Sequence, residues 1–367
     1  MIKLSQASIT NKEINEVNKV LKNQYLGMGK NVFDFEKKLS VFLNREVVCV
    51  NTGTSALQLA LESLRLPKGS EVLVPTITYV ASYQAITASG LKPIPCDINL
   101  NNLIIDLDDS QKRITKKTKC IMPVFFAGEP GDVKKIYKFA KKNNLRIVED
   151  AAHAFGSKYK NKLIGSFGDI TCFSFDGIKN ITAGEGGCIV TNDKKSLNYI
   201  KNARLLGVEG DTDKRKSGER SFNFQVNYQG WRYHMSNINA AIGSVQLKRS
   251  QSIFEKRKIL ARYYCKILKD SNKIDLLQID YENIVPHIFV IILKSNINRD
   301  TLRKKLLYYD IETGVHYKPN NRLNFFKTKN NFKNTNILEK NILTLPLHVN
   351  LTKKDIIKVT STLLKLL

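Results

Sequence analysis

Between Val47 and Asn192, short apolar runs alternate with amphipathic stretches, and this alternation restricts the fold more than any other feature of the chain. The runs are VVCV, EVLVP, KPIPCDI, KCIMPVFF, LRIVED, ITCFSF and GCIVTN. Helical patterns such as SALQLALESL and GDVKKIYKFAKKNN lie between several of them. Strands that are apolar along their whole length need cover on both faces, so the pattern predicts an α/β fold with a mostly parallel sheet between helical layers. Upstream, Ile14, Val17, Val20 and Leu21 recur at helical spacing over 12–24. Residues 208–230, VEGDTDKRKSGERSFNFQVNYQG, interrupt the alternation with a polar, glycine-punctuated connection of unusual length. Beyond it come a helical stretch over about 236–268, a strand in PHIFVIILK, a helix in DTLRKKLLYY, an extended ETGVHY and a last helix from about Lys353. The expected division is a large α/β domain over 1–245 and a smaller α+β domain over 246–367.

Composition narrows the class. The 367 residues are 42% apolar and 25% charged, ordinary for a globular protein. No run approaches the roughly 20 apolar residues of a membrane span. MIKLSQASITNKEINEV has no apolar core of a signal peptide, so a cytoplasmic enzyme is expected. Cys49, Cys96, Cys120, Cys172, Cys188 and Cys265 form no C-x-x-C pair, and most sit in strand-like runs, as small buried hydrophobes do. The net charge of +26 raises the question of an anionic partner. Its basic residues are spread along the chain without a nucleic-acid module signature. That fits a solvated surface first and a small anionic substrate second.

Three stretches carry chemistry. CFSFDGIKNITAGEGGCIVTND places one lysine, Lys179, between two core strands, with Gly184, Gly186 and Gly187 allowing close backbone approach. A lysine kept from bulk water has a lowered pKa and becomes a usable nucleophile. VVCVNTGTSALQLAL reads as strand, turn and helix. Gly53 permits the turn, and Thr54 and Ser55 bring hydroxyls and N–H groups to the helix start. Such a start is an anion site, or simply a Ser/Thr cap. RIVEDAAHAFG ends a strand in Asp150, where open α/β sheets bind ligands; a turn-capping Asp is the plainer reading. His153 alone reads as a structural histidine. In this order, a phosphate-binding helix start, a carboxylate for a pyridinium N–H and a lysine for an aldehyde describe a pyridoxal 5'-phosphate site.

The stretches YLGMGKNVFDFEKKL, NTGTSALQLAL, VPTITYVAS, FFAGEPGDVKKI, IVEDAAHAFGSKYKNKLIGSFGD, FSFDGIKNITAGEGG, MSNINAAIGSVQL, GVHYKP and LPLHVNLT follow one another along nearly the whole chain. Together they resemble the DegT/DnrJ/EryC1/StrS family of sugar aminotransferases. That family belongs to the fold-type I, aspartate aminotransferase-like superfamily, whose large domain has a seven-stranded sheet. The resemblance implies that Lys179 binds the cofactor aldehyde and shuttles the proton, and that Asp150 keeps the pyridine nitrogen protonated. Gly53, Thr54, Ser55 and Ser174 would hold the phosphate, Tyr79 would stack on the ring, and His153 would lie near the phenolic oxygen. WRYHMS matches a place where the family reaches across a homodimer interface to the phosphate. An Arg or Asn is usual where His234 stands, so Arg232 or His234 would take that role. Met28, in the glycine-bearing loop, with His316 and Tyr317 would approach the sugar nucleotide. The implied partners are L-glutamate and a nucleotide-linked keto sugar, in a bacterial cytoplasm. GEGG after the lysine loop resembles the 4-keto-6-deoxy sugar enzymes more than the 3-keto enzymes. The expectation is dTDP-4-keto-6-deoxy-D-glucose, aminated in viosamine fashion for an O-antigen or other surface polysaccharide, with UDP- and GDP-linked sugars as alternatives.

Other readings fit less well. A family dehydratase would have histidine where Lys179 stands. A binding or regulatory protein on this fold has no need of the complete residue set. No G-x-G-x-x-G opens a helix after the first strand, against a nicotinamide enzyme. A nucleic-acid binder would show steeply salt-dependent DNA binding, and neither nucleic acid nor membrane insertion is expected.

Overall fold

The seven apolar runs become one sheet. The computed structural model describes residues 1–216 and 218–367. Its strands are β1 (Val47–Val50), β2 (Glu71–Pro75), β3 (Lys92–Cys96), β4 (Thr118–Ile121) and β5 (Arg146–Asp150), then the hairpin of β6 (Lys158–Tyr159) and β7 (Lys162–Leu163), then β8 (Ile170–Ser174) and β9 (Gly187–Val190). The sheet order is β1-β9-β8-β5-β4-β2-β3. From β3 to β8 the pairs are parallel, and β9 runs antiparallel between β8 and β1. Pro93 and Pro95 explain why β3 lies at an edge: proline has no N–H to give a second neighbour.

Alternation along the strands splits the core in two. Val48, Val50, Val148 and Cys172 pack under the helices Gly53–Ser63, Val80–Ala88 and Lys194–Ala203. Val47, Cys49, Phe173 and Cys188 face the helix Lys30–Leu43 and the first half of the long helix Asn237–Leu268. Full burial of a side chain such as Phe173 contributes about 1.5–3 kcal/mol. The second half of the long helix, from Leu260 to Leu268, belongs to another core, built on an antiparallel sheet of β10 (Ile274–Leu276), β11 (Phe289–Leu293) and β12 (Ile342–Leu345). The position 245/246 thus falls inside one continuous helix. Ile288 and Val290 also share an apolar cluster with Leu73, Ile121 and Ile147 of the large sheet.

Two local expectations change. The first helix, Asn11–Lys22, buries Glu13 and Val20, while Ile14 and Leu21 are about half exposed. Only Val20 of its apolar stripe is fully packed, and the buried face is completed by Glu13, to which Gln246 and Arg249 of the long helix donate. The 208–230 connection includes a short helix, Asp211–Lys216, and a bridge between Val208 and Val226. No helix among the described residues is long and apolar enough to cross a membrane.

Candidate active site

The C-terminal ends of β1, β5 and β8 and the turn after β2 open onto one cavity of about 430 Å³. Its first wall is the start of the helix Gly53–Ser63. Thr52 is the N-cap, and its hydroxyl accepts from Ser55 N–H at 3.0 Å. Gly53 is required here: a Cβ would sit 2.8 Å from Cβ of Ser174, so the helix start lies directly against the end of β8. Thr54 is exposed to the cavity. Ser55 is not: its hydroxyl accepts from Thr52 N–H at 3.2 Å and donates to Asn51 at 2.7 Å. The Ser55 hydroxyl, expected to hold the phosphate, is thus engaged in the capping box and does not line the cavity.

Lys179 reaches the cavity from the turn between β8 and β9. Gly187, which follows that turn at the start of β9, lets the strand lie against the helix start, because a Cβ there would lie 2.6 Å from Thr52 O. Asn180 fixes the backbone, its amide donating to Phe155 O at 3.0 Å and Val285 O at 3.2 Å. Arg257, buried on the long helix, donates to the carbonyls of His287 and Ile178 and so ties both flanks of the lysine together. Burial lowers the Lys179 pKa to about 8, against the pull of Asp176 and Asp150 that favours the charged amine. At neutral pH a usable fraction of the amine is therefore unprotonated.

Asp150 is 4% exposed and lines the same cavity. One oxygen accepts from Ser82 Oγ at 2.6 Å, the other from Ala152 N–H at 3.2 Å. Burial raises its pKa; the hydrogen bonds from Ser82 and Ala152 and the charge of Lys179 oppose the rise. A cation placed in the cavity would satisfy it.

Three histidines complete the floor. Ala127 N–H points at Nδ1 of His153 at 3.4 Å, which leaves the proton on Nε2 to be donated to the Tyr317 hydroxyl at 3.0 Å. His287 places Nε2 3.4 Å from Nζ of Lys179, and its Nδ1 has no hydrogen-bond partner among the described residues. His316 meets the Thr344 hydroxyl at 2.9 Å through Nδ1. Burial, with the nearby Lys179 charge, holds His153 and His287 well below the ordinary histidine pKa and His316 at about 4. All three are neutral at pH 7. Tyr79, 59% exposed, stands over the mouth with its ring 5.7 Å from that of Tyr317.

The structure thus brings together Gly53, Thr54, Tyr79, Asp150, His153, Ser174, Lys179, His316 and Tyr317. Met28 is not among them. It is fully buried between Val32 and Phe35 in the apolar core, because the loop folds inward there, so its side chain presents no surface to a substrate. Arg232 and His234 lie outside this cavity too, lining a separate depression with Arg215, Arg220 and Phe224. Thr52, Asp176, Glu185 and His287 are cavity residues that the sequence reading missed. The first two stand beside recognised motif residues; His287 comes from the other end of the chain and had no local signal.

These residues fit pyridoxal phosphate. A helix start with free N–H donors stands at one end, a lysine of lowered pKa beside it, and a buried carboxylate still open to the cavity. A family model for the DegT/DnrJ/EryC1/StrS aminotransferases matches residues 7–364. GDP-perosamine synthase from Escherichia coli O157:H7 is 39% identical over 267 residues, covering 72% of this chain and 71% of that protein. PseC from Helicobacter pylori, an aminotransferase involved in pseudoaminic acid biosynthesis, superposes with a TM-score of 0.92 at 27% identity, over 100% of this chain and 98% of its own. The PLP form of Spr1654 from Streptococcus pneumoniae superposes with a TM-score of 0.91 at 29% identity, over 100% and 99% of the two chains, and its PMP form with 0.92. A mostly parallel sheet, a lysine and a carboxylate at its strand ends, and a match across almost the whole sequence lead to one conclusion: the chain belongs to the DegT/DnrJ/EryC1/StrS aminotransferase family, which is pyridoxal phosphate-dependent.

Proposed function

We propose that this sugar aminotransferase moves an amino group from L-glutamate to a nucleotide-linked 4-keto-6-deoxy sugar. The observation that carries the reading is Lys179: an amine buried in a cavity, its pKa lowered to about 8, sharing that cavity with Asp150 and a free helix start. Pyridoxal phosphate bound there supplies an aldehyde and an electron-accepting ring. Gly53, Thr54 and Ser174 hold its phosphate, Asp150 its pyridine nitrogen, Tyr79 its face, and His153 with Tyr317 its phenolic side. Lys179 carries the proton to and from the substrate carbon in both half-reactions, a role worth roughly 100- to 10,000-fold. The neutral His153, His287 and His316 surround that amine without adding positive charge.

The nucleotide has two readings. The GEGG motif after the lysine loop favours a 4-keto-6-deoxy sugar without choosing its nucleotide, and the first reading is the dTDP-linked one, with dTDP-4-amino-4,6-dideoxy-D-glucose as product for a surface polysaccharide. The 39% identity to GDP-perosamine synthase favours a GDP-linked one. We further propose a homodimer. Arg232 and His234 lie outside the cavity of their own chain, in a depression lined also by Arg215 and Arg220, beside a segment whose Phe222 is 94% exposed. From there they would serve the phosphate site of a second copy, and sedimentation showing a fully active monomer would refute this. The reaction is tested by incubating the protein with glutamate and a panel of dTDP-, UDP- and GDP-linked keto sugars, read by mass spectrometry. One amino sugar and an equal amount of 2-oxoglutarate are expected; no amino sugar from any member would overturn the reading.

A further inference from the structure

We propose that a second basin, between the helix Val133–Lys142 and the β6–β7 hairpin, binds a small anion carrying a flat ring, of the nucleoside di- or triphosphate class. The basin has a volume of about 490 Å³ and shares no lining residue with the active cavity. That size lies in the range of small-molecule sites, roughly 300–1000 Å³. Its apolar walls are the rings of Tyr137, Tyr159 and Phe167. Phe167 lies 6.5 Å from Tyr137 at 68° and 6.4 Å from Tyr159 at 51°, so the three rings form an angled cup.

The rim carries only positive charge. Lys134, Lys138 and Lys141 follow one face of the helix, and Lys160 and Lys162 face them from the hairpin. All five are exposed, and none makes an ion pair among the described residues. Like charges four residues apart on a helix repel, so the cluster gains nothing from its own arrangement. The neighbouring acids are occupied. Asp132 accepts from the Tyr159 hydroxyl at 3.0 Å and pairs with Lys135, and Glu149 below the floor accepts from Tyr137 and Thr171. Lys160 already lies over Tyr159, 5.5 Å from the ring centre.

The shape selects among anionic partners. A membrane-binding surface projects apolar groups outward, whereas here they form the floor. A second copy on a two-fold axis would set five lysines against five lysines. A base lying on the aromatic cup with its phosphates among the ammonium groups uses both features at once.

Calorimetric titration of the cofactor-loaded protein with ADP tests the site, comparing the parent with Tyr159→Ser and with the double variant Lys138→Glu/Lys162→Glu. These side chains are at the surface, and circular dichroism checks that the variants are folded. The site predicts at least tenfold weaker ADP binding in both variants, weaker binding of the parent as NaCl is added, and an unchanged glutamate half-reaction followed by cofactor absorbance. Equal ADP affinity in parent and variants, or no ADP binding by the parent at millimolar concentration, would overturn the proposal. Pyrophosphate and adenosine are titrated separately: each should bind the parent more weakly than ADP, and adenosine matching ADP would remove the lysines from the argument.

Discussion

Glu149 and Asp150 are neighbours on β5, both carboxylates, both buried, and both pushed by that burial toward the neutral form. Strand alternation sends them to opposite faces of the sheet. Glu149 points into protein, where the Tyr137 and Thr171 hydroxyls engage its two oxygens. Asp150 points into the active cavity, where Ser82 and Ala152 leave it open on one side. The pair teaches that burial and a raised pKa do not by themselves mark a catalytic acid. What separates the two is whether a cavity large enough for a partner lies in front of the carboxylate.

The largest effect expected follows from that difference. Asp150→Asn should lower kcat about 100- to 1000-fold, as loss of a preorganised charge does, while Glu149→Gln should leave kcat within about threefold. Steady-state kinetics on the two purified variants makes the comparison. If the two losses were equal, the cavity would not be what distinguishes these residues.

Stability sharpens the contrast from the other side. Burial raises Glu149 from 4.5 to about 7. A carboxyl with a raised folded pKa binds its proton more tightly when folded, so its contribution is fully present below pH 4.5 and is lost as pH rises through about 7. At about 1.36 kcal/mol per unit, the change is about 3 kcal/mol. Urea unfolding of the cofactor-free protein at pH 5 and pH 7.5 should show that loss, and Glu149→Gln should remove most of it. An unchanged slope in the variant would assign the pH dependence elsewhere.

The same two residues show what was legible beforehand. The run LRIVED revealed the strand and the end at which ligands gather, because apolar strands have a local signature. It also singled out Asp150 as the carboxylate to bet on. It could not tell that Ser55 would spend its hydroxyl inside a capping box, or that Met28 would turn into the core. Those outcomes depend on which way a short loop packs. His287 and Arg257 were invisible for another reason. They come from the segment leading into β11 and from the long helix, and only the tertiary fold carries them to Lys179. The β12 strand ILTL, too short to show a period, was missed likewise.

Lys179 extends the comparison to a base. Its folded pKa of about 8 lies below its ordinary 10.5. Loading of the cofactor-free protein needs the neutral amine, so the rate should rise about tenfold per pH unit up to about 8 and level off above it. Stopped-flow absorbance after mixing with pyridoxal phosphate measures this. In linkage terms the unfolded chain binds the proton more tightly between pH 8 and 10.5. This group therefore adds stability as pH rises through that window. A plateau beginning only near 10.5 would mean that the amine is solvated.

The smallest effect separates two histidines that touch each other, His153 and His287, with ring centres 4.4 Å apart. His153 is held at both nitrogens, by Ala127 N–H and by Tyr317. His287 meets Lys179 at Nε2 and, among the described residues, nothing at Nδ1, so its one side-chain hydrogen-bond partner is the reactive amine. His287→Phe keeps the ring volume and removes that contact, which should lower kcat roughly tenfold, about the worth of one hydrogen bond. The loading profile should keep its midpoint near pH 8, because burial, not His287, is the largest influence on the lysine. A midpoint displaced by a full unit would instead make His287 part of what tunes Lys179, and would move it from holding the amine to setting its charge.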